Sequence, residues 1–110
     1  MASTSVDNSS VSPLNNFETF IGVYENILNY SEITFNFKAD TTSIITLFYS
    51  IDGVNTTYSQ SIVYTNLNNT EFYRYKPLTK YFKIEITNNS GTNQTFLNLY
   101  TYYRPAVLTN

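Results

Sequence analysis

The stretch Ile33-Thr34-Phe35-Asn36-Phe37-Lys38-Ala39, ITFNFKA, decides the fold of this 110-residue chain. Apolar and polar side chains alternate along it without interruption. Successive side chains of a β-strand point to opposite faces of a sheet, so this alternation predicts a strand with one buried face. No segment of the chain shows the apolar spacing of an amphipathic helix of three turns.

Strand signals recur on both sides of this stretch. They predict strands over 17–24, 44–51, 58–64, 71–75, 81–87 and 94–102, with turn signals roughly every 8 to 12 residues. Within them, Ile45, Leu47 and Tyr49 share one parity, and so do Phe82, Ile84 and Ile86. The expected fold is all-β, with seven or eight short strands in a single antiparallel sandwich.

The first sixteen residues differ from the rest in composition. They are rich in Ser, Asn and Thr and bury little apolar surface, which predicts a flexible N-terminal arm over 1–16 and a β-sandwich domain over 17–110. In an assembled protein such an arm can also order by lying across a neighbour. The segment has no basic residue and no long apolar run, so we expect no signal peptide and a chain made as a soluble cytoplasmic product.

Composition excludes several classes of function. Only 13% of the residues are charged, the net charge is −2, and the basic residues are spread out, which argues against nucleic-acid binding. No apolar stretch is long enough to cross a membrane. The chain has no histidine and no cysteine, so the commonest general base and the commonest transition-metal and zinc ligands are missing.

The carboxylates do not form a marked pair. Glycoside hydrolysis, for example, needs two carboxylates about 5 to 10 Å apart, whereas the eight acids here are scattered one per element. We therefore predict no catalytic residue and no enzymatic activity. A calcium site built from Asp40, Asp52 and Asn55 at strand ends is an alternative, but nothing resembles the acid-rich calcium loop, and we expect no metal and no cofactor.

Two segments carry strong turn signals. Asp52-Gly53 lies between two apolar alternating runs, and glycine accepts the positive φ that a tight turn requires, so we interpret Asp52 as a turn residue and not as a reactive acid. Asn88 and Gly91 mark a second turn. Asn-x-Ser/Thr triplets occur at several positions, and we attribute them to the composition of the chain.

The tyrosines are the remaining candidates for function. The predicted contact surface consists of Tyr73, Tyr75, Tyr100, Tyr102 and Tyr103, and together with Tyr81 these residues could form an aromatic platform. Tyrosine at the rim of a core or an interface buries its ring and keeps its hydroxyl wet. Exposed tyrosine rings can instead stack on sugars, and this alternative stays open at the level of the sequence.

The C-terminal half resembles a known module. The run from Pro77 to Gly91, PLTKYFKIEITNNSG, opens with a proline and a Tyr-Phe pair and ends in an asparagine-rich turn, after which Gln94-Thr95-Phe96, Leu99 and Thr101 follow. This order is similar to that of a recurring jelly-roll-like β-sandwich module in virion proteins of tailed bacteriophages and large DNA viruses. The middle hairpin at Ser50-x-Asp52-Gly53 and a first strand over 17–24 match the same module.

The resemblance carries expectations about fold and function. It implies a sandwich of jelly-roll type and a structural role in a virus particle, as a minor capsid, decoration or appendage component. The implied partners are other copies of the chain and neighbouring capsid or appendage proteins, and the implied location is the virion. A carbohydrate-binding module for host attachment, with a glycan as ligand, is the alternative. The module has no catalytic residue, so none is transferred to this chain.

Overall fold

The structure is a computed structural model that describes residues 3–105. The predicted fold class is confirmed, because the described residues form an antiparallel β-sandwich of jelly-roll type and no helix. Its nine strands are β1 (Ser3–Ser10), β2 (Thr19–Ile21), β3 (Glu25–Asn26), β4 (Tyr30–Ala39), β5 (Ser43–Ser50), β6 (Tyr58–Tyr64), β7 (Glu71–Tyr75), β8 (Tyr81–Asn88) and β9 (Leu97–Pro105).

Two sheets face each other across the core. The first sheet has the strand order β1-β9-β4-β7, and the second has the order β2-β8-β5-β6 with β3 paired to β8. The predicted alternation is confirmed in the central strands. One parity of β4, β5, β8 and β9 is buried, and its apolar members are Ile33, Phe35, Phe37, Ala39, Ile45, Leu47, Tyr49, Phe82, Ile84, Ile86, Leu97, Leu99 and Tyr103.

The N-terminal segment differs from the expectation of a flexible arm over 1–16. Residues 3–10 form β1, which pairs with β9 and places Ser5 opposite Thr101. Ser5 and Asn8 are buried although the segment has little apolar surface. Backbone pairing and buried side-chain hydrogen bonds order this strand, and neither is visible in hydropathy. The domain therefore includes residues that the prediction placed outside it, while Met1 and Ala2 lie outside the described residues.

The predicted strand over 17–24 is divided into two short ones. β2 ends at Ile21 and β3 begins at Glu25, and both pair with β8. Gly22 lies at the interruption, where its backbone N–H donates to the carbonyl of Ile84 at 2.9 Å. This break and the additional β1 explain why the strand count exceeds the seven or eight expected.

Candidate contact surface

The outer face of the first sheet carries two exposed aromatic side chains, Phe72 and Tyr100. On one rung Asn36 of β4 lies between Phe72 of β7 and Tyr100 of β9. On the next rung Thr34 lies between Arg74 and Tyr102. We call these six residues the aromatic face: Thr34, Asn36, Phe72, Arg74, Tyr100 and Tyr102.

Two rings of the aromatic face project furthest from the sheet. The side chain of Phe72 is 74% exposed and that of Tyr100 is 46% exposed. Because strands in a sheet lie about 4.8 Å apart, two residues separated by one intervening strand have backbones about 10 Å apart. A shallow groove of about 420 Å³ lies beside them, lined by Thr34, Phe72, Tyr73, Arg74 and Tyr102.

A group of ion-paired side chains lies at one end of the aromatic face. Glu32 forms an ion pair with Arg104 at 3.1 Å and a second one with Arg74 at 3.5 Å. Both arginine side chains are largely exposed, so these pairs lie in water and contribute little to stability. The rung of Asn36 presents the rings of Phe72 and Tyr100 and an amide between them, a composition suited to contact with another surface.

The five predicted contact tyrosines do not lie on one surface. Tyr100 and Tyr102 belong to the aromatic face, whereas Tyr73 and Tyr75 point to the inner side of β7. Their rings stack on Phe35, with centroids 4.7 and 6.1 Å away. Tyr103 is only 3% exposed, so its assignment to a contact surface was wrong.

Strand parity alone could have separated the outward-facing tyrosines from the inward-facing ones. Tyr103 shares the parity of the core residues Leu97 and Leu99, and Tyr73 alternates with Phe72 and Arg74. Phe72, the most exposed ring of the face, is not a tyrosine and was therefore not among the predicted contact residues.

A partly buried polar cluster around the Tyr103 hydroxyl joins the two sheets. One oxygen of Glu25, Oε1, accepts hydrogen bonds from Ser5 Oγ at 2.5 Å, from Asn8 Nδ2 at 2.6 Å and from the Tyr103 hydroxyl at 2.6 Å. Asn8 also donates to the carbonyl of Val23 at 2.8 Å and accepts from the N–H of Ile84 at 2.9 Å. We call Ser5, Asn8, Glu25 and Tyr103 the Asn8 cluster.

The Asn8 cluster has the geometry of a structural link. Its members come from β1 and β9 of one sheet and β3 of the other, and Asn8 bonds to β8. Burial raises the pKa of the Tyr103 hydroxyl far above its ordinary value, and the hydrogen bond to Glu25 acts in the same direction. The Tyr103 hydroxyl therefore keeps its proton near neutral pH and donates it to the hydrogen bond with Glu25 Oε1.

Asp52 lies in the loop between β5 and β6, residues 51–57, and its oxygens accept hydrogen bonds from that loop and from Ser50 at the end of β5. Oδ1 accepts from the N–H groups of Asn55 at 2.8 Å and Val54 at 2.9 Å and from Ser50 Oγ at 3.0 Å. These bonds, led by the one from the Asn55 backbone, hold the pKa of Asp52 well below its ordinary value. Asp40, the other acid considered for calcium, accepts from the backbone N–H of Thr95 at 3.1 Å.

We expect Asp52→Asn to change stability only slightly at neutral pH, because an amide oxygen can accept most of the same bonds. The pKa of Asp52 is lower in the folded state than its ordinary value of 3.8, so the carboxylate stabilises the fold above that pH and this stabilisation decreases as the pH falls below it. The difference in urea midpoint between wild type and Asp52→Asn should therefore shrink as the pH is lowered below 3.8. A difference that grows on acidification would contradict this account.

Gly53 should tolerate substitution poorly. It has a φ of +79°, and a Cβ there would lie 3.2 Å from ring atoms of Tyr81. We expect Gly53→Val to cost about 2 to 3 kcal/mol, since positive φ alone costs a β-branched residue about 1 to 3 kcal/mol. Gly91→Val is the control, because Gly91 has a φ of +88° but no atom within 4 Å of its Cβ position. Equal losses for the two variants in thermal unfolding would rule out the contact with Tyr81.

Asn88 and Gly91 lie in the second predicted turn region. Asn88 is buried at the end of β8, where its Nδ2 donates to the carbonyl of Thr92 at 2.7 Å and to that of Leu14 at 3.1 Å. The amide thus ties the loop before β9 to the segment after β1. This is a structural position and offers no exposed reactive group.

No three acidic side chains in residues 3–105 lie close enough together to hold a metal ion. The same described range contains no helix long and apolar enough to span a membrane.

The fold and the surface define a small jelly-roll sandwich with an exposed aromatic sheet face. No protein-family model matches the sequence, and no characterised protein matches it in sequence. Among solved structures, the whole chain superposes on 39% of the chain of the PBSX exported protein XepA, with a TM-score of 0.76 and 13% identity. The protein is therefore similar to a part of XepA that is well under half of its length.

Two further structures share the fold at greater distance. The subunit of disulfide-linked pili from Bacillus endospore appendages matches 97% of this chain and 88% of its own, with a TM-score of 0.54 and 11% identity. VP2 of the infectious bursal disease virus subviral particle matches 96% of this chain and 32% of its own, with a TM-score of 0.53 and 10% identity. The resemblance to a β-sandwich module of virion proteins is confirmed at the level of the fold.

Proposed function

We propose that this chain is a non-enzymatic structural protein of a virus particle, a minor capsid, decoration or appendage component located in the virion. It acts through protein–protein contacts with copies of itself and with neighbouring capsid or appendage proteins. The observation that carries the proposal is the aromatic face, in which Phe72 and Tyr100 project from a sheet whose backbone is fixed by pairing on both sides of β4 and β9.

The aromatic face has the properties of a contact surface. Aromatic residues are enriched at the centres of protein interfaces, where a few buried rings supply most of the binding energy. The ion pairs of Glu32 lie to one side, as polar groups do at an interface rim. The rings are mounted on strands, so little conformational entropy is lost when a partner covers them.

The similar structures support an assembly role. A pilus and a subviral particle are both built from many subunits, and each contains a sandwich similar to this one. This chain has no cysteine, so disulfide linkage of the kind described for the pili is not open to it. Exposed rings offer such an assembly a noncovalent contact in place of disulfides.

The proposal is tested by locating the chain and then removing the rings. Mass spectrometry and cryo-EM of purified particles from the organism that encodes the chain should find it at high copy number. The double variant Phe72→Ala/Tyr100→Ala should reduce its occupancy at least tenfold, because loss of a central ring typically costs about 2 kcal/mol or more of binding energy.

Phe17→Ala is the matched control for the ring variant. Phe17 is 69% exposed, close to the exposure of Phe72, but it lies in a loop before β2 and outside the aromatic face. Occupancy should be unchanged in this variant. Absence of the protein from particles, or equal losses in the two variants, would contradict the proposal.

A glycan is the second candidate partner, and one rung of the aromatic face favours it. Phe72 and Tyr100 flank Asn36, which places an amide between two rings. Rings that stack on sugar faces and an amide that bonds sugar hydroxyls would suit a carbohydrate-binding module for host attachment. Glycan-array binding that is lost in Phe72→Ala/Tyr100→Ala and kept in Phe17→Ala would favour this candidate over the structural one.

A further inference from the structure

The sheet edges of the sandwich are protected unequally. An edge strand exposes unpaired backbone N–H and C=O groups, and proteins usually block such edges with charges, proline, bulges or short strands. The second sheet ends at β2 on one side, where the strand has three residues and is followed by the break at Gly22. That edge is too short and interrupted to pair with another strand over any length.

The two edges of the first sheet are also blocked. β7 carries Glu71 and Arg74 and is followed by Lys76 and Pro77. β1 carries Asp7, and its pairing with β9 shifts register between Ser5 and Ser10. Charges and an irregular register both oppose the addition of another strand.

β6 has none of these devices. It is seven residues long, and its pairing with β5 runs without a register shift from Ser43–Tyr64 to Tyr49–Tyr58. Its only neighbour in the sheet is β5, so its other side is an open edge among the described residues. Residues 53–70 contain no charged residue and no proline, and the nearest charges on either side are Asp52 and Glu71.

We propose that β6 pairs antiparallel with β6 of a second copy of this chain, across a twofold axis, so that the second sheets of the two copies join into one. The second copy would be one of the partners in the proposed structural role. Only this choice of partner rests on that role. It uses a different surface from the aromatic face.

β6 of a second copy fits this edge better than the other edge strands of that copy would. A twofold contact brings the same surface to both sides, and an uncharged strand meets no like charge when it pairs with itself. A partner with the same length, pleat and twist can bond along the whole strand. Edges such as β7 would bring Glu71 or Arg74 against an uncharged row instead.

The pairing also covers exposed apolar groups. In the register that places Ser61 opposite its own copy, Val63 meets Ser59 of the other chain and Tyr58 meets Tyr64. Val63 is 63% exposed in the single chain. Side chains directly opposite one another on neighbouring strands contact each other, so this exposure should fall in the dimer.

Ser61→Lys tests the proposal with little risk to the fold. Ser61 is exposed in the middle of β6, and its side chain makes one exposed hydrogen bond, with Thr46 Oγ1 at 3.2 Å. A twofold contact would bring two lysines together. Sedimentation velocity over a range of concentrations should show dimers for wild type, and a dissociation constant at least tenfold higher for Ser61→Lys. Ser59→Lys, also at an exposed position, is a second variant if the first unfolds.

Two controls separate pairing at β6 from a general effect of charge. Ser12→Lys adds the same charge at an exposed serine in the segment between β1 and β2, and it should dimerise like wild type. Ser61→Glu alone should be as weak as Ser61→Lys, but an equimolar mixture of the two should form mixed dimers with an affinity close to that of wild type. Hydrogen exchange of the β6 amides should slow as wild type is concentrated.

The outcomes distinguish this proposal from the proposed function. A wild type that stays monomeric, a Ser61→Lys variant that dimerises like wild type, or a mixture that does not recover would each overturn pairing through β6. Dimers that are lost in Phe72→Ala/Tyr100→Ala and kept in Ser61→Lys would overturn it as well, while leaving the aromatic face as a contact. Dimers sensitive to Ser61→Lys in a protein absent from particles would support β6 pairing and contradict the structural role.

Discussion

Gly22→Ala is expected to destabilise the fold severely. A Cβ at this position would lie 2.0 Å from Asn8 Oδ1 and 2.7 Å from the backbone carbonyl oxygen of Ile84. Neither atom can move freely, because Asn8 is fixed in the Asn8 cluster and Ile84 is part of β8. We expect a loss of about 4 kcal/mol in the free energy of unfolding, the size that marks a clash within a packed core.

Gly91→Ala gives the comparison for Gly22→Ala. It has no atom within 4 Å of its Cβ position, so only its positive φ is affected, and we expect a loss of about 1 kcal/mol. Both variants would be measured by urea unfolding followed by far-UV circular dichroism. A loss for Gly22→Ala no larger than that for Gly91→Ala would contradict the close approach of Asn8 to this glycine.

Asn8→Ala is expected to have the second largest effect, a loss of about 3 kcal/mol. The substitution removes the acceptor of the Ile84 N–H, the side-chain donor to the Val23 carbonyl and one of the three donors to Glu25 Oε1, so the Ile84 N–H loses its partner in the Asn8 side chain. Unsatisfied groups of this kind cost about 1 to 3 kcal/mol each. Asn8→Asp is the informative companion, because it keeps the acceptor but places a second carboxylate beside Glu25.

The double variant Gly22→Ala/Asn8→Ala links the two predictions. With Asn8 truncated, the atom 2.0 Å from the new methyl group is gone, although the Ile84 carbonyl remains. The double variant should therefore lose at least about 1 kcal/mol less than the sum of the single variants, since residues in contact are not additive. Strict additivity would show that Asn8 is not the group that limits the space at Gly22.

Most of the fold follows from period-2 alternation. The strands with the clearest pattern, β4, β5 and β8, contain the buried sets predicted for them, because hydrophobic burial on one sheet face fixes both the strand and its register. The order of the strands did not follow from the pattern. Pairing of β9 with both β1 and β4 depends on contacts between distant parts of the chain, which local alternation does not encode.

β1 was missed for a physical reason. Its buried side chains are Ser5 and Asn8, which are held by hydrogen bonds, and a search for apolar residues cannot find such a strand. The aromatic face was found only in part for a related reason. Sequence shows which residues are aromatic, but exposure depends on strand parity, and parity separates Tyr103 and Tyr73 from Tyr100 and Phe72.

The pairing of β1 with β9 has a consequence for the order of folding. Ser3 lies opposite Tyr103, so the first described strand finds its partner only after the last described strand has been synthesised. Contacts between residues far apart in sequence slow folding. A strand that stays unpaired during this time can aggregate with other chains. A segment rich in serine, threonine and asparagine can stay exposed to water without aggregating, whereas an apolar segment could not. The polar composition that concealed β1 is thus the property that allows it to close the sheet last.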